Sequence, residues 1–321
     1  MTISTVVAPR RDATPSTTQL GPGRGDYGCP VDYARVVTGT LHWYRQSARD
    51  LPWRRADATP WAIMVSEFML QQTPVARVLQ PWQEWLQRWP TPAALADAPS
   101  GEAVRAWGRL GYPRRALRLH RAATAIRDDH DGQVPDDYDA LLALPGVGSY
   151  TAAAIASFAF GRRHVVLDTN VRRVQTRIAA GVEFPSAATT AAERALATEF
   201  LPVQAKRAAR WAAASMELGA LVCTARSPRC DQCPVRDECA WRQAGQPSYA
   251  GPPRVGQRYL GTDRQCRGAL LAVLRSSDVA VPADEILAAW PDPVQRERAL
   301  ASLITDQLVV RIGEDHYGLP G

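Results

Sequence analysis

From Val31 to Val222 the apolar residues recur at intervals of three and four, as in Ile63, Phe68 and Leu70 or Leu141, Leu142 and Leu144. That is the period of amphipathic helices, and short Pro/Gly breaks separate one helical run from the next. Alternating β-branched runs bounded by turns are scarce, and Val165-Val166-Leu167 is too short to build a sheet. Residues 1–30, rich in Ser, Thr, Pro and Gly, predict a disordered tail, and residues 244–260, with three prolines and three glycines, predict a linker. Beyond it, residues 266–275, 282–290 and 296–308 read as three helices. Residues 309–312 and 316–319 read as a hairpin around Gly313-Glu314. Three helices and a hairpin predict a small winged-helix-like module over 261–321, on an otherwise all-α protein.

Composition narrows the class. The chain has 321 residues, 46% apolar and 22% charged, with a formal net charge of +6. Of its 38 basic residues only Lys206 is a lysine, so a mechanism that needs a Schiff-base lysine has one candidate. Residues 261–321 hold six arginines against nine acids, a net of −3, which leaves +9 on the preceding 260 residues. A polyanionic partner is therefore expected on the helical body and not on the module. No run approaches the roughly 18–20 apolar residues of a membrane span. The first twenty residues carry Arg10 and Arg11 without an apolar stretch after them, so a cytoplasmic protein is expected. Its six cysteines then read as reduced thiols or metal ligands.

Four of those cysteines, Cys223, Cys230, Cys233 and Cys239, are spaced C-x6-C-x2-C-x5-C within 17 residues. Structural zinc more often draws on two Cys-x-x-Cys pairs, and here there is one. A single compact loop supplying four thiolates suits a cubane iron–sulfur cluster better than zinc, and either better than chance. Between the first two ligands, Arg226 and Arg229 would form a rigid basic finger suited to phosphate, with a solvated loop as the alternative. Cys29 is most simply a bystander.

Residues 137–143 predict a helix and Tyr150 onward another, joined by Leu144-Pro145-Gly146-Val147-Gly148-Ser149. Gly146 and Gly148 let the backbone turn tightly and leave the amides of the next helix exposed, a ready phosphate site. Asp168 follows 20 residues later, beside Asn170, Arg172 and Arg173. On its own it would more often be a helix N-cap; together with the hairpin it can sit beside a bound phosphate backbone.

In this order, LPGVGSYTAAAI, VVLDTNVRRV and the four-cysteine loop resemble the helix-hairpin-helix DNA glycosylases of the endonuclease III superfamily, over roughly residues 35–240. The resemblance implies two helical lobes with DNA between them: residues 31–58 plus 166–243 bearing a [4Fe-4S] cluster, and a six-helix lobe over 59–165. Where the endonuclease III branch has its Schiff-base lysine, this chain has Tyr150, which implies a monofunctional enzyme. Ser66–Thr73 resembles the signature of the adenine glycosylase branch, and Arg49–Arg54 resembles that branch's pocket-lining segment.

The implied partner is double-stranded DNA containing adenine mispaired with 8-oxoguanine or guanine, bound by a monomer in the cytoplasm at the nucleoid. Glu67, shielded by Trp53, Phe68 and Leu70, would protonate the adenine ring; Asp168 would stabilise the oxocarbenium-like sugar, and Tyr150 would hydrogen-bond within the site. Trp53, Arg54 and Leu70 would line the base pocket. Gln72 would be the wedge at the mispair, with Thr73 and Asn170 at the DNA, and Tyr112 would insert beside the opposite base. Arg114, Arg115 and Arg118 would track phosphates. Three features depart from the branch: a short acidic module replaces a Nudix-like domain, Ala212 and Ala213 stand where Asn and Gln or Glu are usual, and Pro113 replaces a second aromatic. The rival readings are a thymine or uracil mismatch glycosylase and a non-catalytic iron–sulfur DNA sensor.

Overall fold

The computed structural model describes residues 31–252, 256 and 258–321, so the expected tail over 1–30 and part of the expected linker lie outside the described residues. Helix α1 (Tyr33–Ser47) is followed by α2 (Pro60–Leu70), α3 (Val75–Arg88), α4 (Pro92–Ala96), α5 (Ser100–Trp107), α6 (Arg114–Asp129), α7 (Tyr138–Ala143) and α8 (Ser149–Phe160). Seven helices, not six, therefore fill 59–165, because the five-residue α4 occupies a stretch too short for periodicity to register. Then come α9 (Thr169–Gln175), α10 (Ala191–Glu199), α11 (Ala205–Leu221) and the short α12 (Ala240–Gln243).

Two cores hold the fold. In the first, α2 is the central rod. Thr59 caps it by accepting from the Ala62 amide at 3.1 Å, Pro60 opens it, and every residue from Trp61 to Met69 is buried. A helix apolar on all sides has to run through the interior. Trp85 of α3 packs edge-on against Trp89 and Trp107, with centroids 4.7 and 5.6 Å away. In the second core, Val36 and Val37 of α1 meet Trp211 and Leu218 of α11 and Val174 of α9. A small apolar seam of Ala153, Ala154, Val166 and Ala212 joins α8 to α11. Ala212, where the resemblance implied a polar residue, thus serves packing.

The last 60 residues form α13 (Asp263–Arg275), α14 (Ala283–Ala288) and α15 (Pro293–Thr305), with β1 (Val281–Pro282), β2 (Val310–Ile312) and β3 (His316–Gly318). The sheet is antiparallel in the order β1-β3-β2, with Arg311 opposite Tyr317. The expected hairpin is β2–β3; the two-residue β1 was too short to foresee. The module does not stand apart. Cys266, Leu270, Leu274, Leu303 and Leu308 belong to the same core as Trp85, Trp107 and Leu119. The Gly101 amide donates to the Pro320 carbonyl at 2.7 Å, an approach a Cβ at Gly101 would block.

Candidate active site and cluster loop

Glu67 is the only acid on α2, 5% exposed in a helix otherwise buried in apolar surroundings. Burial raises its carboxyl to about 7, against the opposing pull of the Tyr150 hydroxyl, which donates to its Oε2 at 3.2 Å; the nearby Asp168 charge adds to the rise. Asp168 is both the N-cap of α9 and an acid close enough for its charge to act on Glu67. Its Oδ1 accepts from the Val171 amide at 2.6 Å and its Oδ2 from Asn170 Nδ2 at 2.8 Å. Those bonds favour the anion while burial pushes its carboxyl up. Asn170 Oδ1 in turn accepts from Arg173 Nη2 at 2.8 Å, and Arg173 Nε donates to the Cys223 carbonyl at 2.8 Å. Asn170, expected at the DNA, is therefore held by protein at both side-chain atoms and positions Asp168. Gly219 makes this possible: a Cβ there would lie 2.7 Å from Asn170 Cβ.

Two turns, one after α2 and one before α6, each have a non-glycine residue in the left-handed region: Gln72 at φ 54° and Tyr112 at φ 48°. One guanidinium joins them. Arg115 Nη1 donates to the carbonyls of Phe68 (2.7 Å), Met69 (3.1 Å) and Gln71 (2.7 Å); its Nη2 reaches Thr73 Oγ1 (3.1 Å) and the Leu110 and Gly111 carbonyls (3.4 and 3.0 Å). Arg115 is thus buried and does not track phosphates. Thr73, 7% exposed and bonded also to Leu110, belongs to the same knot and faces away from solvent. Arg114 and Arg118 are exposed, though Arg114 pairs with Asp306 at 3.1 Å.

The hairpin turn behaves as its glycines require. Gly146 sits at φ 80°, and a Cβ there would meet Arg118 Cβ at 2.6 Å. Gly148 caps α8 with nothing within 4 Å of where a Cβ would be. Trp53 is buried edge-on against Trp82, 5.6 Å between centroids, and Leu70 is half-buried at the end of α2.

A second buried carboxylate, which the sequence reading passed over, ties α11 to the segment before α2. Glu217 of α11 is fully buried and accepts from Arg49 Nε and Nη2 at 2.7 and 2.8 Å, from the Arg49 amide at 3.0 Å and from Arg54 Nη1 at 2.9 Å. These partners outweigh burial and hold its carboxyl at about 2. Arg54, expected to line the base pocket, is committed to this pair. The available signal was an acid flanked by Met216, Leu218 and Leu221 in an apolar helix.

The four cysteines line one cavity with Ile178, Leu218 and Trp241. Arg177, with no solvent exposure, donates from Nη1 to Cys223 Sγ at 3.3 Å and stacks over Trp241 at 4.5 Å. Gln246 Nε2 lies 3.2 Å from Cys230 Sγ. Among the described residues no three His, Cys, Asp or Glu side chains converge as a single ion requires. Four thiols lining one cavity, with nitrogen donors aimed at Cys223 and Cys230, fit the corners of a cluster. Arg226 is exposed, whereas the Arg229 side chain folds back onto the Leu221 carbonyl and caps α11.

Residues 65–198 match the HhH-GPD superfamily of base excision DNA repair proteins, and residues 223–239 match the iron–sulfur binding domain of endonuclease III. The chain is 54% identical to the adenine DNA glycosylase of Mycobacterium tuberculosis over 88% of its length and 93% of that protein. The chain belongs to the adenine DNA glycosylase family. The corresponding enzyme of Mycolicibacterium smegmatis is 51% identical over 88% of this chain and 94% of its own. A thermostable thymine-DNA glycosylase of known structure superposes with a TM-score of 0.58 at 25% identity, over 66% of this chain and 97% of that one. As in the family, the protein is a base-excision repair glycosylase that acts on DNA, and its four-cysteine loop holds a [4Fe-4S] cluster. Among the described residues no helix is long and apolar enough to cross a membrane.

Proposed function

We propose that the chain removes adenine mispaired with 8-oxoguanine or guanine by hydrolysis, as a monomer, without cutting the strand. The reading is carried by Glu67, whose buried carboxyl, raised to about 7, still holds a proton in a large share of molecules at neutral pH. Protonating the ring makes adenine a better leaving group, and the same carboxylate then accepts a proton from water. Asp168, held beside it by Val171 and Asn170, stabilises the positive charge that develops on the sugar. Tyr150 holds the Glu67 side chain in place. The wedge role falls to Gln72 and the opposite-base contact to Tyr112, both exposed and both held at positive φ.

Absence of lyase chemistry is supported by the place of the only lysine. Lys206 is exposed and lies near Gly161, at the far end of α8 from Tyr150, and a 12-residue helix is about 18 Å long. The test is a panel of A·8-oxoG, A·G, T·G and U·G duplexes, scored for free base, for strand breaks and for borohydride-trapped adduct. Adenine release with intact strands and no adduct is expected. Thymine or uracil release in its place would replace the substrate assignment, and a trapped adduct would refute the monofunctional one.

A further inference from the structure

The backbone that carries Tyr112 is held at every carbonyl from 108 to 112. Arg77 holds Arg109, Arg115 holds Leu110 and Gly111, Trp107 Nε1 reaches Gly111 at 2.9 Å, and the Arg115 amide takes Tyr112. The first position is held from outside the lobe. Arg275, at the end of α13, donates from Nη1 to Gly108 at 2.6 Å and from Nε to Val104 at 2.9 Å, capping the last turn of α5 at the root of the loop. At the other end of the same helix the exposed Arg264 places its guanidinium 5.4 Å from the centroid of the Tyr112 ring, which Arg115 approaches at 5.5 Å. A third grip follows the loop: Asp306 of the module binds Arg114, the first residue of α6, at 3.1 Å and Arg267 at 2.6 Å. The module thus touches the Tyr112 segment at its root, tip and exit. Its own net charge of −3 makes it a poor surface for phosphate.

We infer that residues 261–321 are a positioning element for Tyr112, with Arg264 steadying the ring so that the module sets how sharply the base opposite the target is discriminated. The inference rests on the reading of Tyr112 as the opposite-base contact. A guanidinium over an exposed aromatic ring stabilises one orientation by an amount worth about two- to fivefold in an equilibrium.

The test compares Arg264→Ala, Tyr112→Ala and the double variant, each in a Glu67→Gln background, so that binding is read without chemistry. Dissociation constants are measured for duplexes with adenine opposite 8-oxoguanine, guanine or cytosine. Arg264→Ala, an exposed change checked by its urea midpoint, is expected to reduce the ratio between the best and worst opposite base about two- to fivefold. The same change in Tyr112→Ala protein is expected to do nothing further. An unchanged ratio in Arg264→Ala, or an equal change with and without Tyr112, overturns the inference while leaving the Tyr112 reading intact. If Tyr112→Ala itself leaves the ratio unchanged, the Tyr112 reading fails and this inference falls with it.

Discussion

Replacing Glu67 by Gln isolates the free energy the fold invests in a neutral carboxyl. An ordinary glutamate titrates at 4.5 and this one at about 7. Below 4.5 both native and unfolded chains hold the proton, and the group adds no pH dependence. Between 4.5 and 7 the native chain holds it while the unfolded chain does not, so stability falls as pH rises, and above 7 the loss is complete. At about 1.4 kcal/mol per pH unit, wild type loses about 2–3 kcal/mol between pH 5 and pH 8 that the Gln variant keeps. The amide oxygen of the variant can still accept from Tyr150, so packing is preserved. Urea unfolding of both proteins at the two pH values measures the difference directly, and single-turnover assays at saturating enzyme read the loss of base release. Parallel stability curves would refute the claim that Glu67 is held protonated by burial, whatever the kinetics show.

Three further outcomes follow from the contacts described. Arg115→Met should destabilise the protein on the order of 3 kcal/mol, because at least two buried carbonyls lose a charged donor worth about 1.5–3 kcal/mol each; the urea midpoint reports it. Glu217→Gln should cost about 3 kcal/mol at pH 7 by leaving Arg49 and Arg54 without their anion. Since that carboxyl is held at about 2, its contribution is present above 4.5 and lost as pH falls toward 2, so the two proteins' unfolding free energies should converge in acid. Gly219→Ala should cost about 1–3 kcal/mol and slow base release as well, since a methyl against Asn170 displaces the residue that orients Asp168; base release at wild-type rate would show that Asn170 does not set the Asp168 geometry.

The parts of this protein that could be read in advance are those where chemistry and local pattern coincide. The hairpin glycines, the cysteine spacing and an acid embedded in an apolar helix each carry their own signal within a dozen residues. Arg115 carried one too: with Leu119, Ala122 and Ile126 it lies on the buried stripe of α6, while Arg114 and Arg118 lie off it. Reading the three arginines together as a phosphate track hid that difference. Glu217 and Arg49 are 168 residues apart, and no local pattern pairs them. The docking of the module was hidden for a related reason. A Pro/Gly-rich joint and a reversed charge suggest independence, yet the apolar faces of three short helices need a larger surface to complete their burial.

That shared core bears on how the protein is made. Leu270, Leu274, Leu303 and Leu308 close over the same interior as Trp107 and Leu119, but they leave the ribosome after it. At about 5–20 residues per second, roughly 3–12 s separate the start of the module from its end. Throughout that interval the nascent lobe presents the apolar face that α13 and α15 will cover. The module therefore completes this core only after the lobe has emerged, and a chain stalled before it would be a natural client for chaperones.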